Sequence, residues 1–308
     1  MIRVVVTGVG AVSAAGLGIE SVRTVLYEGR TCLAATGDVR DRLPIPGYGV
    51  CTVDVVPCLR RKKDRKLLSR AAELAIVAAS LALGDRRDSE MGLVVGVGRE
   101  PSDSGEVEAA LLASERNGAL DVGLLGSAGL ALYPPLTPLR TLPNLVLAHV
   151  AIQFGMTGES GTRTGEEAAG LASIVEGYRL VSEGRVGAVL AGGADSLVDA
   201  GSARDGVRLG RLGPGRAPGE GAAFVVLESL ESARRAGRVV LAEIVGAGDQ
   251  ATAAVSDLTH LVACIGSCGD ATGPLAFAEA LSRDGRLQVA EADGAVAWLA
   301  WTAGEVVL

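Results

Sequence analysis

Apolar, strand-like runs alternate with segments of helical spacing along most of the chain. Strands are predicted at 4–7, 91–97, 158–164, 186–191, 222–227 and 241–245, and helices at 19–28, 67–83, 145–154, 168–182 and 275–281. Strands that are apolar throughout, alternating with helices, are typical of a mostly parallel sheet covered on both faces. The pattern therefore predicts an α/β fold. Residues 98–142 are the least regular, and we expect loops there, with some helix at 105–115.

Composition narrows the class of protein. The 308 residues are 48% hydrophobic and only 21% charged, which excludes a chain that is disordered throughout. Aromatic residues make up 3%, so the core must consist of Ala, Val and Leu. The net charge of −7 argues against nucleic-acid binding, which usually requires a basic excess. No run approaches the ~18 apolar residues that span a bilayer, so we expect no membrane partner.

The start of the chain and its cysteines point to a cytoplasmic protein. The first residues resemble a strand rather than a signal peptide. Five cysteines, an odd number, are scattered along the chain. Cys264 and Cys268 lie four positions apart without a second pair, so a zinc site is not expected. Reduced thiols are the simplest interpretation.

Two glycines follow the first predicted strand. Gly8 and Gly10 could begin a dinucleotide-binding fingerprint, but Ser13 stands where the third glycine is required. No acidic residue occupies the expected end of a second strand. A structural turn is therefore favoured, and no cofactor is predicted.

Two carboxylates, Glu166 and Glu167, stand at a predicted strand-to-helix turn. The free N–H groups and the dipole of a helix N-terminus favour negative charge there. Simple capping of the helix and a functional site are both compatible with this pattern.

The two histidines form no recognisable catalytic motif. His149 lies within an apolar helical segment, which favours a core position, and His260 has no partner motif. A serine hydrolase would require a G-x-S-x-G turn, which the sequence lacks. No cluster of metal ligands is present in the sequence.

A basic run occupies residues 60–66. Such a run is usually a solvated face. In an acidic protein it could instead bind an acidic partner.

Several segments, in their order and spacing, resemble the β-ketoacyl synthase family, which has a thiolase-type fold. They are residues 4–13 (VVVTGVGAVS), 142–155 (LPNLVLAHVAIQFG), 191–196 (AGGADS), 218–223 (PGEGAA) and 226–228 (VLE). The resemblance implies a thiolase-like, layered α-β-α-β-α fold of two related halves, residues 1–238 and 239–308. The C-terminal half would be truncated, because several dozen residues of the family pattern are missing between Gly248 and Leu261.

The sequence departs from active members of that family at the catalytic positions. Alignment on Gly170 places Glu167 where the nucleophilic cysteine stands, and 266–273 (GSCGDATG) places Ser267 at one of the two catalytic histidines. The segment with the other histidine is not found. Condensation requires a nucleophile that holds the acyl chain as a thioester, whereas a carboxylate would form a mixed anhydride. We therefore expect no catalytic residue, cofactor or metal, and no condensation by this chain alone.

Residues 166–171 (EEAAGL) resemble the corresponding turn of one branch, the chain-length factors of type II polyketide synthases, which contribute to antibiotic and polyene biosynthesis. The resemblance implies a noncatalytic subunit that pairs with an active ketosynthase. The pocket between the two would limit chain length during decarboxylative Claisen condensation on an acyl carrier protein. Two alternatives remain: a decarboxylase of malonyl carrier protein in which Glu167 takes part, and a scaffold without influence on chain length.

The resemblance also implies the contact surfaces. Strand 158–164 would pair with the partner ketosynthase in a heterodimer. Residues 98–142 would approach the partner's acyl tunnel, with 132–138 as the expected steric limit. The acyl carrier protein, with its phosphopantetheine-linked acyl chain, would dock on the basic residues Arg60, Arg61, Lys62 and Lys63.

Overall fold

The fold is built around one large sheet. A computed structural model describes residues 2–98, 104–251, 255–291 and 293–304. Its strands are β1 (Val4–Ser13), β2 (Gly16–Leu17), β3 (Gly92–Val97), β4 (Glu115–Arg116), β5 (Ala119–Leu120), β6 (Ser160–Thr164), β7 (Ala188–Ser196), β8 (Glu220–Ser229), β9 (Ala242–Gly248), β10 (Gly285–Ala290) and β11 (Val296–Ala303). Strands β4 and β5 form a separate small hairpin, and the other nine strands form the sheet.

The sheet is mixed, and most of its pairs are antiparallel. The order is β10-β11-β9-β1-β8-β7-β3-β6, with β2 paired to β1. Among the strands of the described residues, only β3 with β7 and β3 with β6 run parallel. The prediction of a mostly parallel sheet is therefore wrong. Burial on both faces makes a strand apolar whatever its direction, and β7 and β8 are antiparallel although both are buried along nearly their whole length.

Helices cover both faces of the sheet. They are α1 (Ile19–Glu28), α2 (Arg70–Leu83), α3 (Ser104–Leu112), α4 (Val122–Leu124), α5 (Leu130–Leu132), α6 (Pro138–Thr141), α7 (Asn144–Phe154), α8 (Ala169–Ser182), α9 (Ala200–Arg208), α10 (Leu230–Arg235), α11 (Thr259–Ile265) and α12 (Thr272–Ala280). Short 3₁₀ turns occupy Val39–Arg42, Val56–Cys58, Lys62–Leu67 and Gly269–Ala271, and a π-helical turn joins α4 to α5. None of the described helices has both the length and the apolar character needed to cross a lipid bilayer.

The helices α8 and α12 lie in the middle of the layers. On one face of the sheet, α2 packs against β1, β7 and β8, and α7 packs against α2 and β3. On the other face, α8 packs against β3, β7 and β8, but it also contacts β9 and β11. Helix α12 contacts β1 and β8 as well as β10. The two helices are therefore enclosed between the first part of the sheet and its last three strands, as in a thiolase-like fold.

The glycines of β1 serve helix packing. A Cβ atom at Gly8 or Gly10 would overlap the backbone oxygen of Ala82 or Ala78 in α2. Only glycine allows the helix to approach the strand this closely. The predicted turn is therefore wrong: β1 continues through both glycines to Ser13, and their role is to let α2 pack closely on the strand.

The segment 104–142 differs from its prediction. Helix α3 agrees with the helix expected at 105–115, but the short helices α4 to α6 and the β4–β5 hairpin occupy much of the rest, where loops were expected. Residues 99–103 of the region lie outside the described residues. Many of its large apolar side chains face solvent, among them Leu112, Val122 and Leu130, which are 63%, 78% and 65% exposed. Isolated short helices cannot bury an apolar face by themselves, so this segment leaves an apolar surface open.

Candidate functional site

The site lies where the chain enters the central helix α8. Strand β6 ends at Thr164 and α8 begins at Ala169, so residues 165–168 form the connecting turn. The helix is anchored by Leu171 and Ile174, which are both fully buried. The turn is thus held at the N-terminus of a buried helix, while the side chains of Glu166 and Glu167 stay partly exposed.

One arginine joins the two site residues that the sequence predicts. The Glu167 carboxylate forms an ion pair with Nη2 of Arg216. The same nitrogen donates a hydrogen bond to Oγ of Ser267 at 3.2 Å. Ser267 is 1% exposed, whereas the side chains of Glu167 and Arg216 are 32% and 40% exposed. The structure therefore brings Glu167 and Ser267 to one guanidinium group, which the sequence analysis missed.

A tight turn positions that arginine. Gly213 and Arg216 exchange two backbone hydrogen bonds, both 3.0 Å long. The following residues bond to the segment of Ser267: its N–H donates to the Ala217 oxygen at 2.7 Å, and its oxygen accepts from the N–H of Gly219 at 2.8 Å. Arg216 and Ser267 are therefore held by the same backbone network. A glycine- and proline-rich segment, residues 213–219, is the only sequence signal for this turn.

The two carboxylates of the turn do not cap α8. Glu166 forms an ion pair with Arg211, and Glu167 pairs as described above. The free N–H groups before the helix are bound instead by Oε1 of Glu291, which accepts from Glu166, Glu167 and Ala168 at 2.8, 3.1 and 2.9 Å. Capping by Glu166 or Glu167 is therefore the wrong interpretation. The cap comes from a residue more than a hundred positions away.

A second buried acid completes the helix start. Oδ1 of Asp270 accepts a hydrogen bond from the N–H of Ala169 at 2.8 Å. The N–H of Asp270 in turn donates to Oδ2 of Asp195 at 3.2 Å, while Oδ1 of Asp195 accepts from the N–H of Ser196 at 2.8 Å. The Asp270 backbone can approach α8 this closely because residue 170 is glycine. A Cβ atom there would overlap the Asp270 backbone oxygen. Two acids thus lie buried beneath the turn.

The negative charges that Asp195 and Asp270 would carry are poorly compensated by their surroundings. Burial raises the pKa of Asp195 to about 7. Burial, and next the charges of Asp195 and Glu291, raise the pKa of Asp270 well above its ordinary value. Oδ2 of Asp270 is buried and has no hydrogen-bond partner among the described residues. A proton on this pair is therefore favoured near neutral pH.

Neither histidine reaches the site. His149 is buried in α7, where burial lowers the pKa of its imidazole. His260 lies 3.1 Å, through Nε2, from the backbone oxygen of Leu26. Within the described part of the chain, no hydrogen bond joins either ring to Glu167 or Ser267. The core position expected for His149 is confirmed.

The nearby thiols are structural. Sγ of Cys51 donates to the backbone oxygen of Glu220 at 3.0 Å, and Sγ of Cys268 lies 3.6 Å from the oxygen of Gly266. Burial raises the pKa of both thiols far above the ordinary value. A thiol in this environment is a poor nucleophile. In residues 2–98, 104–251, 255–291 and 293–304, no group of three or more His, Cys, Asp or Glu side chains is arranged to hold a metal ion.

The basic run is partly engaged in the fold. The N–H of Arg60 donates to Oε1 of Gln153 at 2.7 Å, and its Nε donates to the Gln153 oxygen at 2.8 Å. Arg61 pairs with Asp64 at 3.0 Å. Lys62 and Lys63 are exposed. The run therefore anchors α7 with its first residue and presents its lysines to solvent.

The predicted strand 158–164 is present as β6 (Ser160–Thr164), one end of the sheet. It pairs with β3 on one side. No strand in the described ranges pairs with its outer edge. Backbone donors and acceptors are therefore available along this edge.

Solved structures share this architecture. One is a type II polyketide synthase acyl-carrier protein in complex with its ketosynthase bound to the hexaketide (AntDE:AntF), with a TM-score of 0.76 and 18% identity over 98% of this chain and 99% of the other. Another is the ishigamide ketosynthase/chain length factor, with a TM-score of 0.70 and 20% identity over 98% of this chain and all of the other. At these identities the likeness concerns the fold.

Sequence relatives and a family profile agree with the fold. The 3-oxoacyl-[acyl-carrier-protein] synthase 2 of Staphylococcus aureus strain N315 is 26% identical over 276 residues, which cover 80% of this chain and 62% of the relative. The chain spans 62–66% of the length of three such curated relatives. Residues 61–233, more than half of the chain, match the profile described as Beta-ketoacyl synthase, N-terminal domain. With its thiolase-like mixed sheet, the chain belongs to the β-ketoacyl synthase family.

Proposed function

We propose that this chain is a noncatalytic, chain-length-factor-like subunit that pairs with an active ketosynthase of a type II polyketide synthase. The observation that carries the proposal is the contact of Glu167 and Ser267 with the Arg216 guanidinium. We infer that Glu167 stands at the position of the nucleophilic cysteine, and Ser267 at that of a catalytic histidine. An ion pair would then take the place of a thiol and an imidazole.

The chemistry of this contact does not favour condensation. A carboxylate paired with a guanidinium is a weak nucleophile, and an acyl group on it would be an anhydride rather than a thioester. The Ser267 hydroxyl accepts a hydrogen bond from Arg216 and offers no cationic donor for an enolate. The carbon–carbon bond would therefore form at the partner's active site.

The open surfaces support pairing. The free edge of β6 could continue into a strand of the partner. Exposed apolar side chains of the segment 104–142 would also be buried on association: Leu111, Leu112, Leu120, Val122, Leu130, Leu132, Leu136, Leu139 and Leu142. A stable pair of this kind usually buries more than ~2,000 Å². Leu132 and Leu136, within the expected limit at 132–138, would face the growing chain.

We propose the basic run as the site for the acyl carrier protein. Lys62 and Lys63 are exposed and could attract an acidic partner, while Arg60 keeps the segment fixed to α7. The interaction would weaken with salt, because it depends on exposed charge.

Co-expression tests the pairing. Expressed with an intact ketosynthase of a type II system, the chain should elute as a 1:1 heterodimer, and expressed alone it should be poorly soluble. An active homodimer of this chain would overturn the proposal.

Release of carbon dioxide from malonyl carrier protein by the purified chain would favour the decarboxylase alternative instead. An exchange of residues 98–142 between related chains that left product length unchanged would favour a scaffold.

A further inference from the structure

Two cysteines that are distant in sequence meet at the surface of the core. The chain after α1 runs beside the end of α11, where the N–H of Cys32 donates to the backbone oxygen of Cys264 at 2.7 Å. One residue earlier, Oγ1 of Thr31 donates to the backbone oxygen of Ala263 at 3.2 Å. The covalent bonds and the hydrogen bond that connect the two Cα atoms limit their separation to less than about 7 Å. Two cysteines farther apart than about 7 Å cannot be bridged without backbone movement, so this pair lies within reach of a disulfide.

The surroundings give the two thiols different roles. Cys32 is half-buried and Cys264 is 3% exposed, and both pack in the same apolar cluster. Nη1 of Arg30 donates a hydrogen bond to Sγ of Cys32 at 3.9 Å, at the exposed side of the cluster. Burial, and next the charge of Cys32, raise the pKa of Cys264. Cys32 is thus the thiol that an oxidant can reach, and Cys264 is the thiol held next to it.

We propose that Cys32 and Cys264 form a redox-modification site that closes to a reversible disulfide on exposure to a peroxide. The Cys32 thiolate attacks one peroxide oxygen, so that an S–O bond forms, the O–O bond breaks and hydroxide leaves. Cys264 loses its proton as its sulfur attacks the Cys32 sulfur. The S–S bond then forms, the S–O bond breaks and water leaves. The two thiols supply the two electrons that reduce the peroxide.

The bond would connect to the candidate site. Helix α11 ends at Ile265, one residue after Cys264, and Ser267 follows in the next turn. The disulfide would fix the end of this helix to the chain that follows α1. The segment that carries Ser267 would then lose freedom to move away from Arg216. The modification itself rests on the fold and stands or falls independently of the proposed function.

Peptide mapping of the oxidised full chain tests the site. After treatment with hydrogen peroxide and blocking of free thiols, digestion without reductant should yield one cross-linked pair of peptides, containing Cys32 and Cys264. Dithiothreitol should abolish the cross-link. The number of thiols that react with a maleimide in the unfolded chain should fall from five to three.

Matched variants sharpen the result. Cys32→Ser and Cys264→Ser should each abolish the cross-link, whereas Cys58→Ser, at a half-buried thiol elsewhere, should retain it. The wild-type thiol count requires no variant, so it decides the question even if a variant misfolds. A cross-link between Cys51 and Cys268, or five reactive thiols after oxidation, would overturn the proposal.

Discussion

Two buried acids at opposite ends of one strand pair have pKa values shifted in opposite directions. Strands β7 and β8 run antiparallel, with Glu228 opposite Ala188 at one end and Asp195 opposite Gly221 at the other. Burial alone would raise the pKa of Glu228. Hydrogen bonds from Thr7 and Arg86 and the charge of Arg238 outweigh it, so the pKa of Glu228 lies below its ordinary value. At Asp195 burial prevails and raises the pKa to about 7.

The difference lies in the partners. Glu228, which is fully buried, forms ion pairs with Arg86 and Arg238 and accepts a hydrogen bond from Thr7. Asp195 accepts two backbone hydrogen bonds and lies beside a second acid, Asp270. Two arginines thus hold Glu228 in a buried structural ion pair. Asp195 and Asp270, beneath the candidate site, have raised pKa values instead.

Removal of the acid at the locked end should have the largest effect. Glu228→Gln leaves Arg86, whose side chain is 15% exposed, without its buried counter-charge, and should reduce the free energy of unfolding at pH 7 by about 3–5 kcal/mol. Because the folded pKa of Glu228 is lowered, its contribution is present above about pH 4.5 and is lost as the pH falls through the folded value. Urea unfolding at pH 7 and at acid pH measures both effects.

A matched control is Glu231→Gln. The Glu231 side chain is 82% exposed and pairs with Arg235 one helical turn away, so its loss should cost less than about 0.5 kcal/mol. Equal destabilisation by the two variants would contradict the structural role of the Glu228 ion pairs.

Asp195→Asn should have the next largest effect. The folded pKa of Asp195 is raised, so its contribution to stability is complete below about pH 4 and is lost as the pH rises to about 7. The rise from 3.8 to about 7 is roughly three pKa units, at about 1.4 kcal/mol each. The decline in unfolding free energy between pH 4 and 8 should therefore be smaller in the variant by roughly 4 kcal/mol.

Urea midpoints across this pH range measure that slope. Asp205→Asn, at a side chain 55% exposed, is the control and should leave the slope unchanged. A slope that is the same in wild type and Asp195→Asn would show that Asp195 is already ionised in the folded chain at low pH.

Glu167→Gln should have the smallest effect. Its ion pair with Arg216 is about one third exposed on both sides, and such pairs contribute about 0–1 kcal/mol. Thermal unfolding should shift by a few degrees at most. A loss of stability as large as that of Glu228→Gln would show that the ion pair of Glu167 has mainly a structural role.

The sequence was sufficient to predict many of the helices and strands, but not how they are arranged in the sheet. The helical spacing at 19–28 predicted α1 with the bounds that the structure has, and the apolar runs marked the buried strands. Strand direction was wrong because burial leaves the same apolar pattern in both directions. Helix α11 and strand β10 were not predicted, since their segments are short and weakly periodic.

The candidate site was predicted in part. Resemblance to known turns pointed to Glu167 and Ser267, which the structure brings to one arginine. Arg216, Asp270 and Glu291 were missed because each comes from a different, distant part of the chain. Local pattern carries no signal for such contacts. Only the close packing around α8 brings them together.

The central claim is that the chain lacks the residues for condensation, and the Glu167→Cys variant tests it most directly. The variant alone would be incubated with acyl-loaded and malonyl-loaded carrier protein, and the β-ketoacyl product measured beside that of an active ketosynthase. We predict no product above the wild-type level, because Ser267 provides no imidazole and Arg216 remains next to residue 167. Formation of an elongated product by this single variant would contradict the account.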